Sequence, residues 1–171
     1  MKDFIYCQQD IPKEQWRYGF RTSAATGCGW IATYNALQLM DLYDEPETLI
    51  SYYERQLPLI HGNAGTLALA PVIYFKRRGF QVEYLSRRDR FDDVAKHSDA
   101  AILFYYWRNK WKFGAHFVAL SYTDQGFIGY NTYRNSKGPD RYGDSLDGFL
   151  TQKKYFGAVL IGIKKKESKS E

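Results

Sequence analysis

Cys28 sits between two glycines, Gly27 and Gly29, after a loop of small residues, Thr22-Ser23-Ala24-Ala25-Thr26. A thiol on the first turn of a helix meets the positive end of the helix dipole and unpaired backbone N–H groups. Both favour the thiolate and lower the pKa below the free value of about 8.5. With a base beside it such a sulfur is a nucleophile; buried alone it is a small hydrophobe. Gly27 is expected to let the backbone turn sharply, and Gly29 to leave the first helical turn open to a substrate. A base is available in His116, which follows Gly114-Ala115 and opens the apolar run Phe117-Val118-Ala119-Leu120. A histidine there either points from a sheet edge into a cleft or serves as a structural residue. The next apolar run ends in Gly129-Tyr130-Asn131-Thr132-Tyr133. Two antiparallel strands joined by a short turn return Asn131 to the His116 end of the hairpin. An asparagine there can accept a hydrogen bond from one imidazole nitrogen and fix its tautomer, or merely close a turn. The chemistry open to the set is acyl transfer through a thioester.

These residues need a helix and a sheet to carry them. From Cys28 to about Met40 the apolar residues Ile31, Ala32, Tyr34, Ala36, Leu37, Leu39 and Met40 predict a largely buried helix. A second helix is predicted from Pro46, with Leu49, Ile50, Tyr53 and Leu57 at helical spacing. After a loop through Pro58, Gly62 and Gly65, Thr66 is a candidate cap for a third helix, ending in Lys76-Arg77-Arg78 and stopped by Gly79, with Pro71 inside the pattern. Beyond Gly79 come a short strand at Gln81–Leu85, a short helix at Phe91–Lys96, and strand-like runs at 101–107, 116–122, 127–133 and 156–163. Helices first and an antiparallel sheet second is the order of an α+β domain rather than of alternating βαβ units. The first twenty-odd residues read as an irregular arm.

At 171 residues, 44% hydrophobic and 25% charged, the chain suits one globular domain, assigned here to 1–163, with a charged, disordered tail at 164–171. Two cysteines cannot build a disulfide framework, and two Cys with three scattered His give no zinc-type ligand spacing, so no cofactor is expected. No apolar h-region and no run long enough to span a membrane is present, which points to the cytoplasm. The net charge of +5 is spread over helix ends, loops and the tail. A basic, Tyr-rich module for nucleic acid is the third-ranked reading, and no nucleic-acid partner is expected.

The ordered set of Cys on a helix start, His on a strand start and Asn on the following strand resembles the papain-like cysteine peptidases. In size and layout it is most similar to the bacterial bacteriocin-leader (double-glycine) peptidases and their stand-alone relatives. Gly27-Cys28-Gly29-Trp30-Ile31-Ala32-Thr33-Tyr34-Asn35-Ala36-Leu37 resembles their nucleophile helix. The stretch from Phe91 through 101–104 to His116 and Leu120 resembles their helix and catalytic-His strand, and 126–131 the strand ending in the third catalytic residue. The likeness runs from about Gly27 to Ile163. It implies a papain-like α+β fold and a Cys28–His116–Asn131 triad acting on a peptide or amide through an acyl-enzyme. Two departures stand out. Family members carry a Gln just before the Cys for the oxyanion hole, and residues 20–27 contain none, which leaves Thr22 or Ser23, or the Cys28 N–H alone. The leader peptidases also commonly have Asp as the third residue where Asn131 stands.

The leading expectation is therefore a cysteine peptidase or amide hydrolase. The alternative is a pseudoenzyme of the same fold that binds a peptide. The aromatic and basic stretch Trp107-Arg108-Asn109-Lys110-Trp111-Lys112-Phe113 precedes Gly114 and His116, so Trp107, Trp111 and Gly114 are expected at the substrate, with a preference for acidic or aromatic groups.

Overall fold

A helix that is apolar on every side must lie inside a domain. In the computed structural model, which describes residues 3–55, 66–109 and 112–166, the helix that begins at the nucleophile candidate does so: α2 (Cys28–Leu39) is buried from Gly29 to Gln38. A one-turn helix, α1 (Ser23–Thr26), runs into it through Gly27. Ahead of α1, the expected irregular arm contains a 3-10 turn at Gln8–Asp10 and a small hairpin of β1 (Arg17–Tyr18) and β2 (Arg21–Thr22).

Helix α3 (Pro46–Arg55) starts at the predicted proline and buries Leu49, Ile50 and Tyr53. Helix α4 (Ala70–Arg77) begins later than the Thr66 cap predicts. Pro71 explains the shift: it occupies the first helical turn, where a missing N–H breaks no helical bond. Thr66 is instead buried, its hydroxyl 2.9 Å from that of Tyr18. The loop predicted around Pro58, Gly62 and Gly65 lies outside the described residues.

The remaining chain supplies β3 (Gln81–Leu85), α5 (Phe91–Lys96), β4 (Ala100–Asn109), β5 (Lys112–Thr123), β6 (Gly126–Tyr130), β7 (Asp140–Gly143), α6 (Leu146–Gln152) and β8 (Gly157–Lys164). The strands form one antiparallel sheet in the order β3-β8-β4-β5-β6-β7. Strand and helix were not predicted at 140–152; there, Ser145 caps α6 by accepting the N–H of Gly148 at 3.2 Å. Lys164, assigned to the tail by sequence, pairs with Gln81 as the last residue of β8.

Alternation along the strands divides the core. Ala100, Ile102, Phe117, Ala119, Ile161 and Ile163 face α2, α3 and α4, while Ala101, Leu103, Tyr105, Val118, Leu120 and Leu160 face α5 and α6. The fold is thus α+β with the N-terminal helices packed on an antiparallel sheet. No helix among the described residues is long and apolar enough to cross a membrane.

The N-terminal arm is fastened to the buried polar residues of α2. Asn35 accepts the N–H of Ile5 at 3.0 Å and donates to its carbonyl at 2.9 Å, and Gln38 accepts the N–H of Asp3 at 3.2 Å. A buried amide side chain needs such partners, and main-chain groups of an extended segment supply them.

Candidate active site

Gly27 joins α1 to α2 with a negative φ, so a left-handed backbone is not why glycine stands there. A Cβ would lie 2.6 Å from both the Ser23 carbonyl oxygen and the Trp30 indole nitrogen, and close approach excludes any side chain. Gly29 likewise serves packing and not substrate access: a Cβ would lie 2.6 Å from the Thr66 hydroxyl oxygen. Gly29→Ala is therefore expected to destabilise the fold by about 1–3 kcal/mol, since Thr66 must move and its bond to Tyr18 with it. A denaturant midpoint equal to that of the parent protein would refute this.

Cys28 opens α2, and the backbone N–H groups of Phe117, Cys28 and Gly29 favour its thiolate. Burial outweighs them and pushes the thiol up from its ordinary value. The helix-start setting thus does not deliver the depressed pKa expected from sequence. His116, paired with Tyr105 across β4 and β5, is pushed the opposite way: burial lowers its imidazole, partly offset by its bond to the Asn131 backbone. Both shifts favour the uncharged forms and so run against the expected ion couple. Among the described residues no hydrogen bond joins the sulfur to the imidazole, whose Nε2 is bonded to the Asn131 carbonyl. Iodoacetamide should accordingly modify Cys28 more slowly than an ordinary free thiol at pH 7, with the rate still climbing at alkaline pH as the raised pKa is approached. Fast modification at pH 5–6 would contradict the upward shift of the thiol.

Asn131 meets His116 through its main chain. Its carbonyl oxygen lies 2.6 Å from Nε2. A carbonyl only accepts, so Nε2 carries the hydrogen and Nδ1 is left with the lone pair a base requires. The side chain faces the other way, accepting the Gln8 N–H at 2.9 Å and donating to Gln8 Oε1 at 3.1 Å. Asn131 is buried in the left-handed region, φ 65°, which asparagine tolerates better than most residues.

Neither oxyanion candidate from the loop is suitably placed. The Ser23 hydroxyl is buried, donating to the Trp16 carbonyl and accepting from the Trp30 indole at 3.1 Å. Thr22 ends β2 and does not line the cleft beside His116. Two glutamines further back in the chain reach α1, the one-turn helix ahead of Cys28. Gln8 Nε2 donates to the Ala24 carbonyl at 3.1 Å, and Gln9 Nε2 reaches the same oxygen at 3.3 Å. The segment holding β1 and β2 separates the pair from α1 in sequence, and the fold closes that gap.

A cleft of about 450 Å³ opens beside His116, with Gln8, Tyr105, Trp107, Gly114, Asn131 and Tyr155 in its wall. Cys28 does not line it. Trp107 and Gly114 thus stand where the sequence puts them relative to His116; Trp111 lies outside the described residues. Among the described residues no group of three His, Cys, Asp or Glu side chains could hold a metal ion.

No family model and no curated protein matches the chain. Solved structures do. The peptidase domain of Streptococcus ComA, a bifunctional ABC transporter of a quorum-sensing pathway, aligns with a TM-score of 0.54 at 15% identity, covering 81% of this chain and 91% of that one. A double-glycine-motif protease from an AMS/PCAT transporter, solved with its leader peptide, aligns with a TM-score of 0.54 at 12% identity, covering 97% and 99%. At such identities the likeness is one of fold, and the fold is that of the papain-like, double-glycine peptidase domains.

Proposed function

We propose that the protein is a cysteine-dependent peptidase or amide hydrolase in which Cys28 is the nucleophile, His116 the base and then the acid, and Asn131 the residue that orients the imidazole. The observation that carries this is the Nε2–H bond to the Asn131 carbonyl, which leaves Nδ1 basic on the residue adjoining Phe117, whose backbone N–H favours the Cys28 thiolate. Starting from the uncharged forms, Nδ1 takes the thiol proton as sulfur adds to the substrate carbonyl. The amine departs with that proton, and water resolves the thioester after losing a proton to the same nitrogen. The Cys28 N–H and the side-chain amide of Gln8 are our candidates for the oxyanion. Gln8 spends one amide hydrogen on Ala24 and has a second to offer. We read the chain up to Lys164, the last residue of β8, as one catalytic unit acting in the cytoplasm on a peptide or amide.

A second reading, a peptide-binding relative without turnover, is favoured by the shifts of Cys28 and His116 towards their uncharged forms and by the lack of a sulfur–imidazole bond among the described residues. An activated peptide ester separates the two. Enzyme chemistry predicts a transient mass increase on Cys28, absent in Cys28→Ala and not found on Cys7, followed by its decay with release of acid. A protein that binds the ester reversibly and never carries the adduct would be the binding relative.

A further inference from the structure

We propose that the cleft beside His116 receives the leaving-group side of the substrate and selects an aromatic residue immediately after the scissile bond. The inference rests on the roles given to Cys28 and His116 above. In an acyl transfer the carbonyl carbon is bonded to sulfur while the departing amine takes its proton from the imidazole. A cavity walled by His116 and not by Cys28 therefore lies along the path of the departing chain.

Its wall is a continuous run of rings leading outward from the imidazole. Tyr105 stands edge-on to His116 with centroids 6.1 Å apart, Tyr155 stacks on Tyr105 at 4.6 Å and 11°, and Trp107 follows at 5.8 Å from Tyr155. The indole lies directly over Gly114, where any Cβ would collide with it, so the ring is seated flat against backbone. Phe113, 69% exposed, stands at the rim. Rings of this kind gain from an incoming ring through offset and edge-to-face contacts beyond the area they bury. Among the described residues the lining contains Arg134 as its charged side chain and no carboxylate, which disfavours a basic residue in the same place.

The test uses the reverse partner of the leaving group. An acyl-enzyme is formed from a peptide cyanomethyl ester, whose small non-aromatic leaving group does not contend for the cleft, and is then offered amino-acid amides as acceptors. The amine nitrogen adds to the thioester carbonyl, the C–S bond breaks as C–N forms, and the proton lost by nitrogen passes through His116 to the departing sulfur. The products are an amide and the free thiol. Phe-amide and Trp-amide are expected to intercept the acyl-enzyme about tenfold or more better than Ala-amide, and Lys-amide no better than Ala-amide. Trp107→Ala and, separately, Tyr155→Ala should bring the Phe-to-Ala ratio towards one, while Tyr155→Phe, which keeps the ring, should preserve it. Equal interception by all four amides in the parent protein would overturn the proposal while leaving the site reading in place. Failure of the ester to acylate Cys28 at all would overturn both.

Discussion

His116→Ala is expected to slow acylation of Cys28 by a peptide ester about 10²–10⁴-fold at pH 7, the range over which a positioned base acts. The effect follows from the upward shift of the thiol. With the thiol pushed up by burial, very little thiolate exists at neutral pH without a base to take its proton. The dependence on pH then has a definite sign. In the variant the rate should climb with pH as the thiolate fraction grows, so the gap to the parent protein narrows under alkaline conditions. In the parent protein the rate should fall on acidification only below the ordinary histidine range, because the imidazole is shifted down. Rapid-mixing measurements of both proteins from pH 5 to 10 check this. Equal rates at pH 7 would remove His116 from the mechanism.

The second large effect is expected at Asn131. Were its side chain the acceptor for His116, Asn131→Ala would delete the acceptor. Here the acceptor is the main-chain oxygen, which survives the substitution while its anchorage does not. Loss of the side chain strands the N–H of Gln8 and its Oε1, at about 1–3 kcal/mol for each buried group left unpaired. It also leaves a Cβ residue at φ 65° without the local bonds that suit asparagine to it. We expect Asn131→Ala to lose about 2–5 kcal/mol of stability and turnover to drop roughly 10²-fold. Asn131→Asp, which keeps the acceptor for the Gln8 N–H, should lose less of both. A double-mutant cycle with Gln8→Ala isolates the coupling: the two changes should be far from additive. Full turnover in a folded Asn131→Ala protein would show that the carbonyl needs no such anchor.

What the sequence made legible was whatever depends on local pattern. The apolar run after Cys28, the proline opening α3, and the β-branched and aromatic runs of β4, β5 and β8 each carry their own period, and their order alone identifies the architecture. The helix α6 carried a readable signal as well, Ser145 ahead of Leu146, Phe149 and Leu150, but it is short and follows a polar stretch. The site was legible as residue types and not as contacts. That Asn131 would offer its carbonyl depends on a left-handed backbone and on Gln8, 123 residues away. The opposed shifts of Cys28 and His116 arise from burial, which the dipole argument leaves out. The contact of Gln8 and Gln9 with Ala24 is likewise invisible along the chain, because the segment containing β1 and β2 lies between them in sequence but not in space.

The clasp between Gln8 and Asn131 bears on when activity can first arise during synthesis. Residues 3–8 are made early, yet the arm's hold on the His116 acceptor waits for residue 131, and β8, which lies between β3 and β4, comes later still. Contacts of such long sequence separation form late in folding. A nascent chain carrying Cys28 and its helix would thus hold a thiol with no oriented base, and would lack its catalytic partner until nearly the whole sheet had been translated and closed.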